Sequence, residues 1–122
     1  MKKVLVVDDD EDVLLLIRIL LDRHGFLVEL LSSSTFIQKK IREFEPGLII
    51  LDVNLQDGDG RVICKELKEN PLTQHIPIIL FSSDHNIIKD FKEYHADNFI
   101  GKPFEANKLV DHANKYFAKL NN

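Results

Sequence analysis

The sequence predicts an α/β fold, a five-stranded parallel sheet with helices covering both faces. Three observations carry that expectation. Five short apolar runs alternate with longer amphipathic stretches, the pattern of repeated strand–helix–strand units. The first and third runs are apolar throughout and do not alternate with polar residues, as strands buried on both faces are. At 122 residues, 44% of them hydrophobic, the chain has the length and apolar content of one domain that can bury a core.

Taken in order, Lys3–Asp8 (KVLVVD) reads as the first strand. The stretch Glu11–His24 places Val13, Leu16, Ile17, Leu20 and Leu21 at helical spacing, and Gly25 stands where a left-handed cap belongs. Phe26–Leu31 is the second strand. Thr35 with Gln38 can form a capping box opening a helix to about Phe44, which Pro46-Gly47 breaks. Leu48–Asp52 (LIILD) is the third strand, and the loop Val53–Gly60 leads into a helix near Arg61–Glu69. Ile76–Ser82 is strand four, Asn86–Tyr94 a helix, Asn98–Gly101 strand five and Phe104–Leu120 a closing helix. No linker, low-complexity tract or repeat divides residues 1–122, so a single domain is expected.

Composition narrows the function. Lys plus Arg is 16 against 20 Asp plus Glu, a net charge of −4, which argues against a nucleic-acid backbone as the main ligand. The single cysteine, Cys64, excludes an internal disulfide and any multi-cysteine metal centre, and it reads as a small buried hydrophobe. His24, His75, His85, His95 and His112 are scattered without metal spacing and read as solvated. The longest unbroken apolar run, Val13–Ile17, is far too short to span a membrane. Met1-Lys2-Lys3 is followed only by Val4–Val7 before acids arrive, so no export signal is expected. The expected setting is reduced and cytoplasmic.

Right-handed crossovers bring the C-terminal ends of parallel strands to one rim, where ligands of such sheets bind. That rim should carry Asp8, Asp52, Ser82 and, just past the fifth strand, Lys102. The first strand runs into Asp8-Asp9-Asp10-Glu11-Asp12. Helix capping and the helix dipole account for Asp10, Glu11 and Asp12. They do not account for Asp52, which precedes a loop. Two carboxylates 4 Å apart repel by about 4 kcal/mol at an effective dielectric near 20, so a cluster needs a cation or a proton. Oxygen donors without histidine or thiolate select Mg²⁺ or a similar divalent ion such as Mn²⁺. Asp57–Gly60 (DGDG) lacks the alternating acids and closing glutamate of an EF-hand. Lys102 lies between Phe99-Ile100 and Pro103-Phe104, and its ammonium facing carboxylates makes a clamp for a phosphoryl group. Ser82 adds a hydroxyl donor.

Four motifs, VVDDD at Val6–Asp10, LIILDVNLQDGDG at Leu48–Gly60, PIILFSS at Pro77–Ser83 and FIGKPF at Phe99–Phe104, fall in order on successive strand ends. Together they resemble the receiver domain of two-component response regulators, from Lys3 to about Leu120. The resemblance implies a flavodoxin-like, doubly wound sheet of order 2-1-3-4-5 with five helices. It makes Asp52 the phosphoacceptor, and has Asp8 and Asp9 bind Mg²⁺ with the Asp52 carboxylate and the Asn54 backbone carbonyl. It makes Ser82 the switch hydroxyl, Phe99 the aromatic switch and Lys102 the phosphate-pairing lysine, with a cis bond expected at Lys102-Pro103. The implied partners are a sensor histidine kinase or histidine phosphotransfer protein and a downstream protein target. Neither nucleic acid nor membrane is contacted directly, and the chain is expected to be a monomer or weak dimer. The switching face would be the Asn86–Tyr94 helix, the fifth strand and the closing helix. As receivers dock kinases on the first helix, its extra apolar residues Leu14, Leu15 and Ile19 form the expected partner patch.

The chain departs from that family in places. Gln56 replaces a common proline, implying a looser loop; Ser82 replaces the commoner threonine; Phe99 has no phenolic hydroxyl; and His95-Ala96-Asp97 stands where Gly-Ala-Asp is usual. Asn54 and Asp84 flank the water path that sets phosphate lifetime in the family, and this pair suggests a short-lived signal. Two rivals share parts of the pattern. A flavodoxin-like electron carrier needs a Ser/Thr/Gly-rich phosphate loop where VDDDED stands. A Mg²⁺-dependent aspartyl-nucleophile phosphohydrolase usually carries a second acid two residues past its nucleophile, where this chain has Asn54, and a cap domain. Met1 and the absence of a linker suit a stand-alone receiver over a piece of a larger regulator.

Overall fold

The computed structural model describes residues 2–84 and 91–118. Five parallel strands form the central sheet: β1 (Lys3–Val7), β2 (Leu27–Leu31), β3 (Leu48–Asp52), β6 (Ile78–Ser82) and β7 (Asn98–Gly101), in the order β2-β1-β3-β6-β7. Between β3 and the next helix, β4 (Asn54–Leu55) and β5 (Gly58–Asp59) make a small antiparallel hairpin. The helices among the described residues are α1 (Glu11–Arg23), α2 (Ile37–Phe44), α3 (Gly60–Glu69) and α4 (Ala106–Ala118). This is the doubly wound order expected from the sequence. The helix expected at Asn86–Tyr94 falls mostly outside the described residues, and 91–94 form one 3₁₀ turn.

Side-chain alternation builds two core layers from one sheet. Val4, Val6, Leu48, Ile50, Ile79 and Phe81 point to the layer that takes Leu14, Ile17 and Leu21 of α1 and Leu109, Ala113 and Phe117 of α4. Leu5, Val7, Ile49, Leu51, Ile78 and Leu80 point to the layer that takes Ile37 and Ile41 of α2 and Cys64 and Leu67 of α3. A strand serving both layers must be apolar at every position, hence the uninterrupted LIIL of β3.

The helix ends differ from expectation in instructive ways. Asp10 caps α1 as anticipated, its carboxylate accepting from the N–H groups of Asp12 and Val13. Gly25, with φ of 86°, takes the left-handed position after it. The capping box expected at Thr35 is absent. Phe36 occupies the N-cap of α2 without a side-chain bond, because the Thr35 hydroxyl donates to Asp57 at 3.1 Å instead. The left-handed residue ending α2 is Glu45, φ 52°, ahead of Pro46-Gly47. The buried stripe of α1 is Leu14, Ile17 and Leu21, while Leu16 is 49% exposed. Expecting Leu14 on the partner surface is therefore wrong. A helix apolar almost all round fits either stripe by spacing, and packing against the sheet and α4 chose the one starting at Leu14. Leu15 and Ile19 do lie outside, 56% and 42% exposed.

Candidate functional site

The C-terminal rim gathers residues from four strand ends. Asp8 follows β1, Asp52 closes β3, Ser82 closes β6 and Lys102 follows β7. Asp8, Asp52 and Ser82 are all buried, at 2%, 3% and 0% exposure. Such burial of acids demands partners, and each has them. Lys102 Nζ lies 2.8 Å from Asp8 Oδ2 and 3.5 Å from Asp52 Oδ1. Asp8 Oδ1 accepts from the Asp10 N–H at 2.9 Å, and Asp52 Oδ1 from the Asn54 N–H at 3.3 Å.

The ammonium is held from several sides. The Lys102 N–H donates to the Ser82 carbonyl at 2.8 Å, the Lys102-Pro103 bond is cis as expected, and Nζ sits 4.8 Å from the centroid of the Phe81 ring, within cation–π range. The Ser82 hydroxyl accepts the Asp84 N–H at 3.0 Å. Phe99 is covered, packed in the layer with Leu80 and Ala96.

A carboxylate oxygen from each of Asp8, Asp9 and Asp52 lies within 4.8 Å of the others. Burial, reinforced by the Asp8 charge and more weakly by Asp9, pushes the Asp52 carboxyl up to about 6 against the pull of Lys102 and the Asn54 N–H. Three carboxylates facing one ammonium leave negative charge uncompensated, and every donor is an oxygen. That set fits a small, hard divalent cation.

Two contributors escaped the sequence reading. A β-carbon on Gly60 would collide with the Asp52 carbonyl oxygen and sit 2.9 Å from Val53 Cα, while the Gly60 N–H bonds the Val53 carbonyl at 2.8 Å. Gly60 therefore sets where the Asp52 backbone can lie. Its signal in the sequence is the Asp59-Gly60 pair, which caps and opens α3. Phe81, under the ammonium, looked like any strand residue. Among the histidines, His112 is half-buried and Nδ1 lies 2.8 Å from Asn98 Nδ2, not simply solvated; His85 lies outside the described residues. Cys64 is buried as expected, and burial pushes its thiol up to about 12.

Comparison with known proteins concerns the chain as a whole. The family model described as "Response regulator receiver domain" matches residues 4–114. The transcriptional regulatory protein GltR of Pseudomonas aeruginosa is 34% identical over 111 residues, 89% of this chain and 46% of that one. The alkaline phosphatase synthesis transcriptional regulatory protein PhoP of Bacillus subtilis is 36% identical over 109 residues, 88% of this chain and 45% of its own. The chain thus spans under half the length of these two relatives. The crystal structure of the signal receiver domain of a signal transduction histidine kinase from Syntrophus aciditrophicus superposes with a TM-score of 0.88 at 27% identity. That match covers 98% of this chain and 92% of the other.

Proposed function

The chain belongs to the response regulator receiver domain family, and on that premise we propose that Asp52 accepts a phosphoryl group from a phosphohistidine on a partner kinase or phosphotransfer protein. The observation that carries this reading is the Lys102 ammonium set against Asp8 and Asp52 at 2.8 and 3.5 Å on a buried rim. An ionised Asp52 oxygen attacks phosphorus, the P–O bond forms as the P–N bond breaks, and the imidazole leaves with its electron pair. Lys102 offsets the charge on the phosphoryl oxygens, and the Ser82 hydroxyl donates to one of them. Asp8, Asp9, Asp52 and the Asn54 carbonyl would hold Mg²⁺ or Mn²⁺. When bound, it supplies the positive charge that lets carboxylates and phosphoryl oxygens share the pocket.

The new negative charge on Asp52 then draws on the Ser82 hydroxyl and Lys102, the space Ser82 leaves admits the Phe99 ring, and the face around β7 that a downstream protein reads is altered. Leu15, Leu16 and Ile19, exposed on α1, form the apolar patch for the kinase's helices. Asn54 and Asp84, each two residues past a rim residue, keep the aspartyl phosphate short-lived.

The test is intact-protein mass spectrometry after incubation with a small acyl phosphate, with and without Mg²⁺. One phosphoryl group should add in Mg²⁺ and none in Asp52→Asn. Labelling retained in Asp52→Asn would overturn the assignment, and steady turnover of phosphate esters would favour a phosphohydrolase.

A further inference from the structure

The hairpin after Asp52 is fastened on both sides. Leu55 pairs with Gly58, leaving Gln56-Asp57 as the two-residue turn, and both turn residues bond outward. The Gln56 N–H donates to Asp9 Oδ2 at 2.9 Å. The Asp57 carboxylate accepts the Ser34 N–H with its two oxygens at 3.1 and 3.0 Å, and the Thr35 hydroxyl at 3.1 Å. One turn thereby ties together the loops after β1, β2 and β3. Glutamine in a proline's place supplies a main-chain N–H, and that N–H makes the bond to Asp9.

We infer that Gln56 is a positioning residue for the cation site: its main-chain N–H, steadied by Asp57 on Ser34 and Thr35, fixes the Asp9 carboxylate by one oxygen and leaves the other for the ion. The inference rests on the reading of Asp8, Asp9 and Asp52 as a divalent-cation site. Asp9 is the one of these three acids that is not fully buried, so packing alone does not set its rotamer. Hydrogen bonds that orient a ligating carboxylate tune its hold on the ion, and losing one typically weakens binding about 10- to 100-fold.

The turn permits a clean comparison. Among the described non-glycine residues only Glu45 and His95 have positive φ, so Gln56 is outside the left-handed region that proline cannot enter, and it holds the first central turn position, where proline is favoured. Gln56→Pro deletes the N–H and Gln56→Ala keeps it. Calorimetric titration of the unphosphorylated proteins with Mg²⁺ should show a Kd about tenfold weaker for Gln56→Pro and unchanged for Gln56→Ala, with equal thermal midpoints in the metal-free proteins. Thr35→Val, which removes one brace of Asp57 without changing charge, should give a smaller loss of the same sign. Equal affinities for Gln56→Pro and Gln56→Ala would overturn the inference and leave the cation site standing. Should Gln56→Pro not fold, wild-type affinity in Thr35→Val overturns it instead. A wild-type chain that binds no Mg²⁺ sinks the cation reading, and the inference with it.

Discussion

Asp52 must ionise to act as a nucleophile, yet it sits where ionisation is costly. Its carboxyl is raised from the ordinary 3.8 to about 6, burial being the main cause and Asp8 the next. A raised carboxyl binds its proton more tightly in the folded than in the unfolded chain, so between those two values folding takes up a proton. The ionised side chain therefore costs stability above pH about 6, and that cost fades as the pH falls through this window. The difference corresponds to on the order of 3 kcal/mol. Asp52→Asn, without divalent ions, should stabilise the protein near neutral pH, and the gain should shrink as the pH falls from about 6 toward 3.8. Urea melts of the two proteins across that range check this; a gain that does not depend on pH would show that the charge is not what strains the site. Cys64 is the contrasting case. Its thiol, pushed up to about 12 by burial, stays protonated at neutral pH and should resist alkylation until the protein unfolds.

Elements register where backbone geometry and sequence disagree. Glu45 ends α2 at φ 52° and His95 precedes β7 at φ 62°, angles that cost a residue with a β-carbon about 1 kcal/mol or more. Glu45→Gly and His95→Gly should each stabilise by roughly 1 kcal/mol, less a few tenths for the freer unfolded chain, as read by denaturant midpoints. Gly60→Ala should do the reverse. The added methyl overlaps the Asp52 backbone, so a loss of about 2 kcal/mol or more is expected together with loss of phosphorylation. These cases also mark what was legible in the chain. Strand positions could be read because two-sided burial forces unbroken apolar runs; Asp8, Asp52 and Ser82 were legible because each directly ends or follows such a run, and Lys102 because Phe99-Ile100 and Pro103-Phe104 flank it. The start of α2 was not, since Thr35 had two possible uses and the choice depended on Asp57, 22 residues away. Nor was the buried face of α1. Its leucines offer two stripes, and only the sheet and α4 distinguish Leu14 from Leu16.

At the scale of the molecule, the sheet turns four distant strand ends into one electrostatic unit. Lys102 and Asp8 are 94 residues apart in sequence and 2.8 Å apart in space, which parallel pairing of β1, β3, β6 and β7 accomplishes without any local signal. Folding thus assembles the acids, and the energy stored in their repulsion should be released by a cation that binds only the assembled site. A ligand bound by the native state alone raises stability by RT ln(1 + [L]/Kd), about 1.4 kcal/mol at ten times Kd, or roughly 5 °C in Tm for a domain of this size. Protons compete for the same oxygens. Mg²⁺ should therefore raise the thermal midpoint near neutral pH and raise it progressively less as the pH drops through about 6, where Asp52 takes up its proton. Asp8→Asn, which removes one of the three carboxylates while keeping its shape, should lose most of the Mg²⁺ effect and lower the pH at which Asp52 titrates, because the Asp8 charge is second only to burial in raising it. Thermal melts of both proteins over a Mg²⁺ and pH grid measure the two effects together. A Mg²⁺ shift of equal size in wild type and Asp8→Asn would place the ion somewhere other than this rim.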